Sequence, residues 1–166
     1  MKTTRLLLPF THGVEMHAIE QAILLAQGHD ATLIPLSLIY LPPESPARGA
    51  RLEHVQQSKD FLETVQHKAA HYEVPVERFE VFTGDVVKSI NLVAEELKCD
   101  GVLLFVCDGN GILLQTSEIK HFMEHATCNF YVIRLPSKKD RQSTRALPRW
   151  LSNWLPGRRQ HLSVPG

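Results

Sequence analysis

Five short apolar runs alternate with four longer segments of helical period, and this alternation constrains the chain more than any other feature. The runs lie at residues 5–10 (RLLLPF), 32–41, 76–82, 101–107 (GVLLFVC) and 129–135 (NFYVIRL). Stretches such as Leu6-Leu7-Leu8 are continuous rather than alternating, as in strands buried on both faces. Over residues 13–27, Met16, Ile19, Ile23 and Ala26 share a helical face that Glu15, Glu20 and Gln21 avoid. Gly28 stands where a C-cap glycine belongs. Leu52, Val55, Leu62, Val65 and Ala69 make the stripe over 51–72. Over 85–98 it is Val86, Ile90, Val93 and Leu97, with Asp85 placed to cap the start. Ile119, Phe122, Met123 and Ala126 repeat the pattern over 117–126, with Thr116 or Ser117 as cap.

The order β-α-β-α-β-α-β-α-β predicts an α/β fold: a five-stranded, mostly parallel sheet in a three-layer, Rossmann-like sandwich. Sheets of this kind bind ligands at the carboxyl ends of their strands, near the point where strand order reverses. The residues following the strands are therefore the ones to watch: Thr11-His12-Gly13, Pro42-Pro43, Thr83-Gly84 and Asp108-Gly109-Asn110-Gly111. Residues 41–50 (LPPESPARGA) read as a loop or flap.

Several classes are excluded. No apolar run approaches the ~20 residues that span a bilayer, and the N-terminus lacks the pattern of a signal peptide. Three cysteines without CxxC spacing indicate neither a disulfide framework nor a zinc ribbon. A cytoplasmic protein with reduced thiols is expected. Eighteen Lys and Arg balance eighteen Asp and Glu, so the chain lacks the basic excess of a general nucleic-acid binder. That balance is an average, because residues 137–166 hold seven bases against one acid and leave residues 1–136 at −6. The expected division is an α/β domain over 1–136 and a basic tail over 137–166.

Thr83-Gly84-Asp85, a helix, and then Cys99-Asp100-Gly101-Val102-Leu103-Leu104 resemble a stretch of the universal stress protein family. His125-Ala126-Thr127-Cys128-Asn129 and the run after it resemble that family's closing motif and final strand. The resemblance covers about residues 4–136. It implies a nucleotide-binding sandwich of adenine nucleotide alpha hydrolase-like topology, dimeric through the last strand, with a regulatory or protective rather than catalytic role. Some members bind ATP.

The family's ATP pattern, Gly-x2-Gly-x9-Gly-Ser/Thr, places Ser117 on its last position. Thr116 replaces the preceding glycine, four residues separate Gly111 from Thr116, and the first glycines contract to Gly109-x-Gly111. Thr11 stands where the family carries an acid that accepts a hydrogen bond from the adenine edge. Phosphate binding needs backbone N–H groups converging on one point, with a helix N-terminus behind them. The shortened loop and Asp108 work against that. The resemblance thus implies a degenerate crevice of Thr11, His12, Gly84, Asp108, Gly109, Gly111, Thr116 and Ser117, no cofactor in the usual mode, and action through protein partners. Its alternative is an ATP or AMP sensor, whose shortened loop accepts a smaller ligand such as AMP.

No Ser-His-Asp or Cys-His signature proposes a catalytic residue. His67 with His71, and His121 with His125, have the i, i+4 spacing of a chelate, but nothing fixes further ligands and they read as exposed helix histidines; no metal is expected. In the last strand Phe130 and Val132 share a face opposite Tyr131 and Ile133. The resemblance implies pairing of this strand with a second copy, which covers an apolar edge. In the tail, Leu147, Leu151, Trp154 and Leu155 lie near one helical face with Trp150 beside it. Three readings of that segment stand: docking on the protein's own dimer, capture of a protein partner, and weak contact with an anionic membrane.

Overall fold

The computed structural model describes residues 2–42 and 49–137. The expected flap falls mostly outside them, and the tail segment with Trp150 and Trp154 falls wholly outside. The elements are β1 (Arg5–Phe10), α1 (Met16–Gly28), β2 (Thr32–Tyr40), α2 (Leu52–His71), β3 (Phe79–Thr83), α3 (Val86–Glu96), β4 (Gly101–Cys107), β5 (Asn110–Ile112), α4 (Thr116–His125) and β6 (Phe130–Arg134). The expected α/β sandwich is present with one added strand. β1 pairs in parallel with β2 and β4, β2 with β3, and β4 with β6, while β5 alone is antiparallel, against β4.

Helices cover both faces, which is why the strands read as unbroken apolar runs. Leu6, Leu8, Phe10, Leu33, Leu103 and Phe105 pack against α1 and α2 through Ile19, Ile23, Phe61 and Val65. Leu7, Ile34, Leu36, Val102 and Leu104 face α3 and α4 through Ile90, Ala94, Ile119 and Phe122. Two prolines lie inside strands, where a missing N–H breaks a ladder. Each sits beyond one of its ladders: Pro9 past the Leu6–Leu7 contact of β1 with β4, and Pro35 before β2 meets β3 at Leu36. Gly101 leaves room for the Tyr131 ring, which occupies the place a Cβ would take.

Some local expectations differ. Ile19, Ile23 and Ala26 of α1 face inward as expected, but Met16 is 45% exposed and Gln21 is buried with them. Gly28 is the last residue of α1, and His29 follows as its C-cap. The third strand begins at Phe79, with Val76 contributing only an isolated bridge to Leu33. Asp85 does cap α3, accepting from the Lys88 N–H at 3.1 Å.

The end of the sheet opposite the carboxyl ends of the strands is tied by Arg5. Its guanidinium meets both Glu77 oxygens at 2.8 and 3.1 Å and donates to the Leu97 carbonyl at 2.9 Å. Its backbone N–H donates to Asp100 Oδ2 at 2.8 Å. These bonds hold both carboxyls below their ordinary range, Glu77 through the guanidinium and Asp100 through the backbone N–H. Burial pushes the Cys99 thiol up to about 11 and raises Cys128 as well. Both therefore stay protonated at neutral pH, and no cysteine is in a disulfide. Phe130 and Val132 are half-buried on the α3/α4 face. Among the described strands β6 pairs only with β4, so it sits at the sheet margin.

Candidate functional site

Strand order reverses between β1 and β4, and there the two strands touch only at Leu6–Gly101 and Leu7–Val102. The space beyond is taken by β5. Asp108 and Gly109 both have positive φ (51° and 79°), the backbone of a primed two-residue turn whose twist suits a hairpin. They fold Asn110 back onto Cys107 and Gly111 onto Val106. The Leu113 carbonyl then accepts from the N–H groups of Thr11 at 2.9 Å and His12 at 3.3 Å. The hairpin plugs the gap at the ends of β1 and β4.

This corrects the roles expected of the glycines. The Gly111 N–H donates to Thr116 Oγ1 at 2.9 Å, and a Cβ on Gly111 would collide with the Leu114 carbonyl and Ile119. Gly111 serves close packing of β5 on α4, and Gly109 serves the turn. Neither lines the cleft described next, nor do Asp108 and Thr116. The N-cap of α4 is Gln115 rather than Thr116 or Ser117.

A cleft of about 640 Å³ opens beside the hairpin, over the carboxyl ends of β1 and β2, within the ~300–1,000 Å³ of small-molecule sites. Thr11, His12, Gly84 and Ser117 are among the residues that line it. It also gathers Leu38 and Tyr40 from β2, His54 from α2, Asp85, Val86 and Val87 at the start of α3, and Gln115, Glu118 and His121 from α4. Two helix N-termini thus point into one space. Their first-turn N–H groups lack partners within the helix and carry its positive end.

The start of α3 is held by Thr83. Its hydroxyl accepts from the Asp85 N–H at 2.9 Å and from Ser89 Oγ at 2.7 Å, and donates to the Asp85 carbonyl at 3.0 Å. Glu118 organises the start of α4. Its Oε1 accepts from the Gln115 N–H at 2.8 Å and from Thr11 Oγ1 at 2.7 Å, joining α4 to the end of β1. The Gly13 N–H donates to Gln57 Oε1 at 3.0 Å and anchors the post-β1 loop to α2. His12 Nδ1 lies 3.3 Å from the Thr11 hydroxyl.

Glu118 places a carboxylate against Thr11, the position where an acid was missing. Its signal was Gln115-x-x-Glu118, the spacing of a capping box. Tyr40 and His54 had no local signal, since only the fold brings β2 and α2 to this spot. The described lining residues include no Lys or Arg, and the bases are His12, His54 and His121. The cleft combines an apolar wall, two carboxylates (Asp85 and Glu118), and two converging sets of backbone donors.

A profile described as the universal stress protein family matches residues 3–134. A search of curated protein sequences finds no match. Among solved structures, universal stress protein UspA from Lactobacillus plantarum has a TM-score of 0.62 at 21% identity, covering 81% of this chain and 99% of that one. The universal stress protein from Archaeoglobus fulgidus in complex with dAMP has a TM-score of 0.60 at 11% identity, covering 80% and 98%. An Arabidopsis thaliana family protein with AMP bound has a TM-score of 0.54 at 16% identity, covering 87% and 99%. At these identities the likeness is one of fold. The two complexes nevertheless overturn the expectation of no cofactor, because proteins of this fold hold adenine nucleotides.

Proposed function

The chain belongs to the universal stress protein family, and from that premise we propose that its cleft binds an adenine nucleotide with a short phosphate, such as AMP, in a regulatory rather than catalytic role. The observation that carries this reading is the pairing of two helix N-termini over the cleft with a short hairpin where the family pattern has a longer loop. The first-turn N–H groups at Val86, Val87 and Ser117 are the donors for one phosphate. Tyr40, Leu38 and Val86 offer a surface for a base. Glu118 is an acceptor for the amino or hydroxyl protons of a nucleoside, and the His12 and His54 rings add N–H donors.

A triphosphate needs donors along its whole length. The Gly111 N–H, the natural candidate for a second phosphate, is already bound to Thr116. The family resemblance and the complexes with AMP and dAMP support the nucleotide class, and the hairpin supports the short phosphate.

The test is a map of amide signals by two-dimensional NMR during addition of AMP. Val86, Val87, Ser117 and Glu118 are expected to move, while the β6 signals of residues 130–134 stay in place. Shifts confined to another part of the chain, or none at saturating AMP, would remove the proposal.

A further inference from the structure

The last two turns of α4 carry a second cluster of donors. His121, Glu124 and His125 each offer one ligand atom, and these atoms all lie within 4.8 Å of one another on the exposed face of the helix. The imidazole rings are 4.4 Å apart. His125 Nδ1 lies 3.0 Å from the His121 carbonyl oxygen. A carbonyl only accepts, so Nδ1 is the donor in this contact and Nε2 is the ring nitrogen left for a ligand. Ligating histidines commonly use their second nitrogen in this way, which fixes the ring and raises its basicity.

The backbone beneath the cluster is also held. Asn91 of α3 donates through Nδ2 to the His125 carbonyl at 3.1 Å and accepts from the Thr127 N–H at 3.1 Å. The end of α4 is therefore clamped from a neighbouring helix on both sides of Ala126. His125 is the last residue of α4, where the negative end of the helix dipole favours a cation. The pair on α2 has the same spacing and none of this support. The His67 and His71 rings stand edge to face at 5.2 Å, and among the described residues no third donor joins them.

We propose that His121, Glu124 and His125 form a site for a divalent transition metal of borderline softness, with Zn²⁺ as the natural probe. Two imidazoles and a carboxylate are a recognised zinc donor set, and three protein ligands leave a fourth position for water or an anion. Since His121 also lines the cleft, the ion sits on its rim. The proposal does not depend on which ligand the cleft binds.

The experiment is a Zn²⁺ titration of the full chain by competition with a chromophoric chelator, repeated with His125→Gln, Glu124→Gln and His67→Gln. Circular dichroism confirms that each variant folds. One ion per chain is expected, with affinity reduced at least about tenfold by His125→Gln, reduced also by Glu124→Gln, and unchanged by His67→Gln. Absence of stoichiometric Zn²⁺ binding would overturn the site. So would undiminished affinity in His125→Gln, or a loss in His67→Gln as large as that in His125→Gln.

Discussion

Phe61→Ala is expected to lower the stability of the domain by about 3–5 kcal/mol, the cost of removing a large aromatic from a packed core. Phe61 is fully buried and stacks on Phe10 of β1, with ring centroids 4.2 Å apart and planes 6° from parallel. With Leu62, Val65 and Ala69 it forms the buried face of α2. Its loss opens a cavity between a central strand and a helix that cannot easily close over it. For a chain of this size the corresponding fall in Tm is roughly 6–20 °C, at about 2–4 °C per kcal/mol. Leu52 on the same helix is 83% exposed, so Leu52→Ala should stay within about 0.5 kcal/mol. Urea and thermal unfolding check both. Similar costs for the two would mean that α2 buries a different face.

Ser117→Trp is expected to weaken AMP binding at least tenfold, about 1.4 kcal/mol, with little change in Tm. Serine and tryptophan have similar helix propensity, and Ser117 lies in the first turn of α4 facing the cleft. An indole there occupies space the nucleotide needs and covers the helix N-terminus. Because the N-cap is Gln115 and its N–H bonds Glu118, the variant leaves the capping intact. Fluorescence or calorimetric titration separates the two effects. An unchanged affinity would place the ligand outside this cleft, whereas a fall in Tm of the size expected for Phe61→Ala would show that Ser117 is structural.

The legible part of the fold was the part governed by burial. The central strands β1, β2 and β4, covered on both faces, cannot be written without runs like Leu6-Leu7-Leu8 and Val102–Val106, and the helices between them need their stripes. The sixth strand was hidden for a physical reason. β5 is only three residues long and contains no apolar run. Asp108-Gly109 is a hairpin turn signal, but glycines also permit close approach to a phosphate, and the family pattern favoured that use. Which use wins is decided by Gly111, whose N–H and missing Cβ both face α4, a contact invisible in one dimension.

The cleft was half legible for a related reason. Thr11, His12, Gly84 and Ser117 follow strands or open helices, so the rule about carboxyl ends finds them. Tyr40, His54 and His121 arrive from elements whose rotation and reach the sequence does not specify. Glu118 reads as a helix residue until the packing of α4 brings it within 2.7 Å of Thr11. In α1 the pattern misassigned Met16 and Gln21 because a helix beside a loop can bury the aliphatic part of a glutamine and leave a methionine at its first position exposed.

Binding of an adenine nucleotide in this cleft, with preference for a short phosphate, is the central proposal. Isothermal titration of the full chain with AMP and then ATP tests it most directly. Saturable binding of AMP at one site per chain, and weaker binding of ATP, are expected. Tighter binding of ATP than of AMP, or no heat from either, would contradict it.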